Sequence, residues 1–347
     1  ERACFNQAVD ALKRDNVDRL RSILNRHEQS VWVSRGENQA QWALLHSAAS
    51  LAQTCEDTDR QLSEHTRTMD ALLDFYTSTI REVDRLQREF EQAAGDFLDS
   101  GGASIEVINQ SRSTYRKLMN KIHGVFIRHI EKSGWPITGR LSNADVFDKL
   151  VAPKLLESGR RVAYLLIDAM RYELGVELAK HLNEAGQIDV QMACAQMPTV
   201  TPVGMATLLP GAGQNLKIAN KDNQLLVVFD DQPLATVTQR MDMLRKKYGQ
   251  RFAEMELVRF VRDHPKIEST VELLVIRSND MDNDFEANPE AAPGLISRTF
   301  QKIRSAIYKL RDLGFQDVII ATDHGFFLNT AIEPGDVCAK PSGKWIN

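Results

Sequence analysis

Asp168, Thr201, Asp282 and the adjacent pair Asp323-His324 are the residues in this chain whose types and order could do chemistry together. Asp168 ends the apolar run VAYLLID (162–168), and Asp323-His324 end DVIIATDHG (317–325). Thr201 lies in the Pro/Thr-rich turn PTVTPVGMATLLPG (198–211), and Asp282 in the acidic segment RSNDMDNDFE (277–286). A carboxylate at the C-terminal end of a strand points into the crevice where open α/β sheets bind ligands. Carboxylates, an imidazole and a hydroxyl converging there suit a pair of divalent cations and phosphoryl transfer.

Each residue also has a plainer role. Asp168 could cap the helix after its strand. Asp323-His324 could be an ordinary strand-end turn. Asp282 sits among Asp280 and Asp284, so a solvated acidic loop competes with a ligand there. Thr199 and Thr201 both carry hydroxyls that could attack phosphorus once coordination depresses their pKa. Thr201 precedes Pro202 and opens an expected helix over 203–209, whose N-terminus would offer N–H groups to phosphate. Arg171, three residues beyond Asp168, could bind phosphate bidentately or pair with Glu173.

The elements that must position these residues change character along the chain. Residues up to about 100 read as helical. Leu62, Met69, Tyr76, Val83, Phe90 and Phe97 recur every seven residues, with Leu72, Leu86 and Ala93 in companion positions. This predicts one long amphipathic helix from about Asp57 to Phe97. It would either pack within a helical domain or serve as a coiled-coil arm for a partner or for self-association. SGGAS (100–104) breaks it, and a second helix follows over about 105–132. SGWPITGR (133–140) is a Gly/Pro-rich connector, after which Ser142 or Asn143 could cap a helix.

From residue 160 strands and helices alternate. RVAYLLID, IDVQMACA (188–195), LLVVFD (225–230), VELLVIRS (271–278) and DVIIAT (317–322) are expected strands. Residues 169–186, a mostly helical stretch over about 236–264, and 294–314 are expected helices. The alternation predicts a doubly wound, mainly parallel α/β sheet preceded by an all-α region. The division is 1–135, a helical module, and 136–347, the α/β core.

Composition narrows the function classes. Hydrophobic content of 43% and charged content of 26% fit an ordinary globular protein. Net charge is −4, so no global basic field argues for nucleic acid, although a local basic rim could serve a nuclease. No stretch approaches a membrane span. Cys4, Cys55, Cys194 and Cys338 form no close pair, which excludes zinc-finger and thioredoxin motifs and fits reduced thiols in cytoplasm. PGAGQN (210–215) has no following Lys-Ser/Thr and is no P-loop.

The ordered set IDAMRYELG (167–175), TVTPVGMATLLPG (199–211), RSNDMDNDFE (277–286) and IIATDHGFF (319–327) resembles the alkaline phosphatase superfamily, and most closely its PglZ domain branch. That branch is best known from bacteriophage-exclusion (BREX) defence. The resemblance covers roughly residues 110–340. It implies that Asp168, Asp323 and His324 hold one metal, that Asp282 holds a second, and that Thr201 is the nucleophile. Arg171 and Glu173 look like a feature of the branch.

The superfamily pairs its Asp with a His four residues on, where this chain has Glu286. A carboxylate there would favour Mn or Mg over Zn. The resemblance implies two divalent cations, zinc first. It also implies a phosphodiesterase or nuclease acting on nucleic acid or nucleotides, working beside other defence-system proteins. Two departures stand out. Val203-Gly204 occupies the place where many relatives carry a phosphate-holding Asn, and no His follows His324. The missing His, the absent initiator Met and the abrupt end at KPSGKWIN suggest a piece of a longer protein. The competing expectation is a phosphatase-like scaffold of little or no activity.

Overall fold

A computed structural model of the chain describes residues 2–28, 30, 36–95, 102–221, 224–263 and 265–328. Two compact units emerge. One comprises the described residues up to Gly134 with Asn288–Gly294, and the other comprises Trp135–Ala287 with Leu295–Phe327.

The first unit is helical. Its main helices are Arg2–Lys13, Val17–His27, Gly36–Leu62, Arg81–Gly95 and Ala103–Ser133. The seven-residue stripe does not form one helix. Gly36–Leu62 ends in a 3₁₀ turn at Ser63–His65, and Thr68 caps a new helix, Met69–Phe75, by accepting the Ala71 N–H. A π-helical turn, Tyr76–Ile80, then leads into Arg81–Gly95. The physical cause lies in Ser63–Thr68, a polar run whose hydroxyls compete for backbone groups: Thr66 Oγ1 donates to the Ser63 carbonyl. Leu62, Met69, Val83 and Phe90 are buried. An arm for self-association would need another face. Phe97 lies outside the described residues.

The second unit is built on a four-stranded sheet ordered β5-β6-β1-β7, with β1 Val162–Ile167, β5 Phe252–Glu256, β6 Leu273–Ser278 and β7 Asp317–Thr322. All its pairings are parallel. Side chains of β1 alternate between two cores. Val162, Tyr164 and Leu166 pack on one face with Val203, Leu208 and Met241, while Ala163, Leu165 and Ile167 pack on the other with Leu174, Phe300 and Ile303. Helices therefore cover both faces, which explains why β1 is an unbroken apolar run buried along its whole length. This is the doubly wound α/β architecture that the alternation predicts.

Three details differ from the sequence expectation. IDVQMACA is no strand: Ile188 and Val190 are exposed, and Cys194 forms only an isolated bridge to Ser142. LLVVFD, all but its Asp230, lies in β3 (Gln224–Phe229), which joins β2 (Leu216–Lys221) and β4 (Gln232–Pro233) in a separate antiparallel sheet. The expected helical stretch over 236–264 is interrupted by β5. A capping box of Thr236 and Gln239 starts Val237–Tyr248, Gly249 at positive φ ends it, and the edge strand follows.

Candidate metal centre

The parallel register fixes the site. Ile167 of β1 is level with Thr322 of β7 and with Ser278 of β6. The next residues, Asp168 and Asp323, therefore emerge side by side from neighbouring strands. Asp168 stays in the sheet by donating its N–H to the Ser278 carbonyl at 2.8 Å. Past β6, the helix Asp280–Ala287 carries Asp282.

Ala169 then adopts φ +57, a left-handed conformation that costs a residue with a Cβ about 1–2 kcal/mol. The turn aims its N–H at Asp323 Oδ1, 3.2 Å away. The His324 N–H donates to the same oxygen at 2.9 Å. Two residues missed in the sequence complete the frame. Thr322 Oγ1 donates to the His324 carbonyl (2.9 Å) and accepts the Met170 N–H (3.0 Å). Buried Asn143 donates to the carbonyls of Thr322 (3.1 Å) and Asp323 (2.8 Å). Nothing in their sequence context distinguishes these from ordinary cap and strand residues.

Ligand atoms of Asp168, Asp282 and His324 lie within 4.8 Å of one another. His324 Nδ1 faces the Gly325 carbonyl at 3.0 Å, so in the neutral ring the proton belongs there and Nε2 presents a lone pair. Nε2 lies 3.3 Å from Asp323 Oδ2 and 3.7 Å from Asp168 Oδ1. Asp323 is fully buried, and its Oδ2 has no hydrogen-bond partner among the described residues. A buried orphan acceptor beside a lone pair and two more carboxylates is the environment a divalent cation satisfies. Without a cation, burial pushes the Asp168 carboxyl up to about 8, with the Asp323 and Asp282 charges adding to the effect. Burial also raises Asp323.

Thr201 Oγ1 stands 3.4 Å from Asp168 Oδ1 and 3.4 Å from His324 Nε2. Its helix runs Thr201–Thr207, beginning and ending two residues before the expected 203–209. The expected cradle of N–H groups is largely closed: Pro202 has none, and those of Val203 and Gly204 bond to the Val200 carbonyl. Thr199, the other hydroxyl, is exposed.

The remaining candidates separate clearly. Asp282 joins Asp168 and His324 in one group rather than founding a second with Glu286, which is exposed one turn further along its helix. Asp280 is tied to Lys302 at 2.5 Å, and Asp284 lines a surface cleft with Arg298 and Lys302. Arg171 is buried and gives Nε and Nη2 to Glu173 Oε1 at 3.0 and 2.8 Å. His264 and Cys338 lie outside the described residues.

One further basic residue escaped sequence reasoning. Arg240, on Val237–Tyr248, is buried on the sheet face that carries Asp168 and Asp323, and Nη1 donates to the Ala235 carbonyl at 2.6 Å. Burial lowers its pKa to about 10 against the attraction of Asp323 and Asp168. It sits amid a helical pattern of charges, which gives no signal that it is buried.

A doubly wound α/β unit with acids and a histidine gathered at its strand ends defines an alkaline-phosphatase-like domain. Residues 146–339 match the family described as "BREX system PglZ alkaline phosphatase-like domain", and the chain belongs to that family. It is 25% identical over 317 residues to the alkaline phosphatase-like protein PglZ of Bacillus cereus (strain H3081.97), covering 86% of this chain and 35% of that protein. It is 24% identical over 205 residues to the alkaline phosphatase-like protein BrxZ of Escherichia coli O9:H4 (strain HS), covering 55% of this chain and 23% of that protein. The chain thus spans about a third of the length of the first of these relatives and about a quarter of the second. Among the described residues, no helix is long and apolar enough to cross a membrane.

Proposed function

We infer that this chain carries the catalytic core of a metal-dependent phosphohydrolase, a phosphodiesterase or nuclease acting on nucleic acid or nucleotides in anti-phage defence. The observation that carries this reading is the hydroxyl of Thr201 at 3.4 Å from both Asp168 Oδ1 and His324 Nε2, inside the Asp168–Asp282–His324 group.

Asp168, Asp282 and His324 would hold a divalent cation, with Asp323 Oδ2 as a fourth donor. Zinc, Mn and Mg all suit this mixed set. Such a cation supplies Lewis acidity toward a phosphoryl oxygen and toward the hydroxyl that attacks it. Thr201 would donate its proton toward Asp168 and attack phosphorus in line as one ester P–O bond breaks and its oxygen leaves as an alcohol, giving a threonine-linked phosphate ester whose Thr–O–P bond water then cleaves. Arg240 adds positive charge on the same face for an anionic substrate. Work in the cytoplasm, within an assembly of defence proteins, belongs to the same reading.

A second reading is a weakly active or inactive phosphatase-like scaffold. It draws support from the exposure of Glu286, and from the single ligand group found among the described residues.

Hydrolysis of a chromogenic phosphodiester by the intact protein, with Zn, Mn or Mg, separates the two. Metal-dependent turnover that disappears in Thr201→Ala supports the enzyme. Folded protein without turnover under any metal supports the scaffold.

A further inference from the structure

The three grouped ligands sit on three different segments beyond the strand ends, two turns and the helix Asp280–Ala287, and each segment carries, a few residues on, one member of a single stack. Arg171 follows Asp168 by three residues, Phe285 follows Asp282 by three, and Phe326 follows His324 by two. The Arg171 guanidinium lies 4.7 Å over the Phe326 ring. Phe326 and Phe285 have centroids 4.1 Å apart with planes at 32°. Glu173 holds the guanidinium from behind through Nε and Nη2, and both members of that pair are buried. The fit is close: a Cβ on Gly325 would lie 2.7 Å from Arg171 Cβ and 3.1 Å from its Cα.

The need for such a device follows from the fold. A sheet hydrogen bond to Ser278 fixes Asp168, and the Ala169 N–H holds the Asp323 carboxylate. Asp282 is on a helix beyond β6, and His324 begins an irregular segment beyond β7. Neither is held at ligand spacing by the parallel ladder, and a metal site requires tight placement of its donors. A guanidinium over an aromatic face, oriented by one carboxylate oxygen that accepts from both Nε and Nη2, gives that rigidity in a way that lysine or an aliphatic cannot.

We propose that Glu173, Arg171, Phe326 and Phe285 form a positioning clamp that joins the three segments and holds Asp168, Asp282 and His324 at ligand spacing. The proposal rests on reading that trio as a cation site. It makes Arg171 a positioning residue, its charge answered by Glu173, rather than a ligand for substrate phosphate.

The test is titration of the intact protein with Mn(II) alone, followed by electron paramagnetic resonance, with the visible spectrum of the Co(II) form as a second readout. Phe326→Leu removes the aromatic face and keeps apolar bulk. The double variant Arg171→Met/Glu173→Gln removes the ion pair without stranding a buried charge. Phe326→Tyr is the conservative rescue. Phe315→Leu is the control, because it removes a different cation–π contact on a buried ring of this unit, Arg161 at 4.2 Å over Phe315.

Loss of supporting contacts around metal ligands typically weakens metal binding about 10- to 100-fold. The clamp predicts a loss of that size, with a changed Co(II) spectrum, in Phe326→Leu and in the double variant. Phe326→Tyr should stay near wild type, and Phe315→Leu should lose thermal stability while keeping its Mn(II) affinity. Folded Phe326→Leu or double variant that binds Mn(II) like wild type overturns the clamp and leaves the metal site standing. Phe315→Leu weakening Mn(II) as much as Phe326→Leu also overturns it. A folded wild-type protein that binds neither ion overturns the metal reading, and the clamp with it.

Discussion

Gly204 packs against Asp323 with no room for a side chain. A Cβ at Gly204 would lie 2.7 Å from Asp323 Cβ and 3.0 Å from its carbonyl oxygen. The helix that carries Thr201 can approach the acids this closely only because the residue is glycine. Gly204 is thus a packing constraint that sets how closely the helix of Thr201 approaches Asp323.

Gly204→Ala must therefore move either the helix or Asp323. Overpacking of this kind costs about 1–3 kcal/mol. A lower melting temperature is expected together with weakened metal binding and loss of turnover. Gly175→Ala serves as the control, since a Cβ there meets nothing within 4 Å. On its helix, Tyr172–His181, alanine should be neutral or stabilising by about 0.5–1 kcal/mol. Equal damage from both substitutions would remove the special status of Gly204.

Asp323→Asn should move two properties in opposite directions. The amide oxygen can still accept from Ala169 and His324, while the orphan Oδ2 becomes an NH₂. Repulsion with Asp168 falls, so the metal-free protein should melt at the same temperature or higher. Metal affinity should fall at least tenfold, because a neutral amide replaces a buried anion. Calorimetric metal titration beside thermal melts in chelator reads both. A variant that loses stability without losing metal affinity would make Asp323 structural.

Much of this was legible in the sequence, because it depends on local pattern. The unbroken apolar run of β1 and the Asp-His-Gly end of β7 mark buried strands and their C-terminal turns; the sheet order and register that bring Asp168 and Asp323 together come from the fold. What was not legible depends on tertiary choice. β5 was hidden because FAEME alternates like an edge strand but sits between helical runs of Arg and Glu. The break at Ser63–Thr68 was masked by the seven-residue stripe, which continues across it. Asp280, Asp282 and Asp284 could not be ranked from composition. Only the helix over 280–287 turns Asp282 toward the site and pairs Asp280 with Lys302.

The metal-free protein should lose stability as pH rises. Asp168 titrates at about 8 when folded against 3.8 for the ordinary carboxyl, so between these values the folded state binds more protons than the unfolded state. Stability then falls with increasing pH across that window. Bound cation removes the penalty, so the stabilisation by metal should grow from pH 5 to pH 8. Chemical denaturation in chelator and in excess Mn(II) at several pH values measures this, and Asp168→Asn should flatten the chelator series. A chelator series that is already flat in wild type would mean that Asp168 is ionised throughout.

Arg240 allows a test in which metal and substrate respond with opposite sign. Its guanidinium is buried near Asp168 and Asp323, so it repels a cation at the site and attracts an anion. In Arg240→Met, cation affinity should stay the same or rise severalfold, because one positive charge has left a poorly screened region. The KM for an anionic phosphodiester should rise severalfold or more, because that same charge no longer meets the substrate. Arg240→Lys, a point charge without the planar fork, should keep the metal response of wild type and recover KM only in part. If KM is unchanged in Arg240→Met while metal affinity rises, the arginine balances the acids and takes no part in holding phosphate.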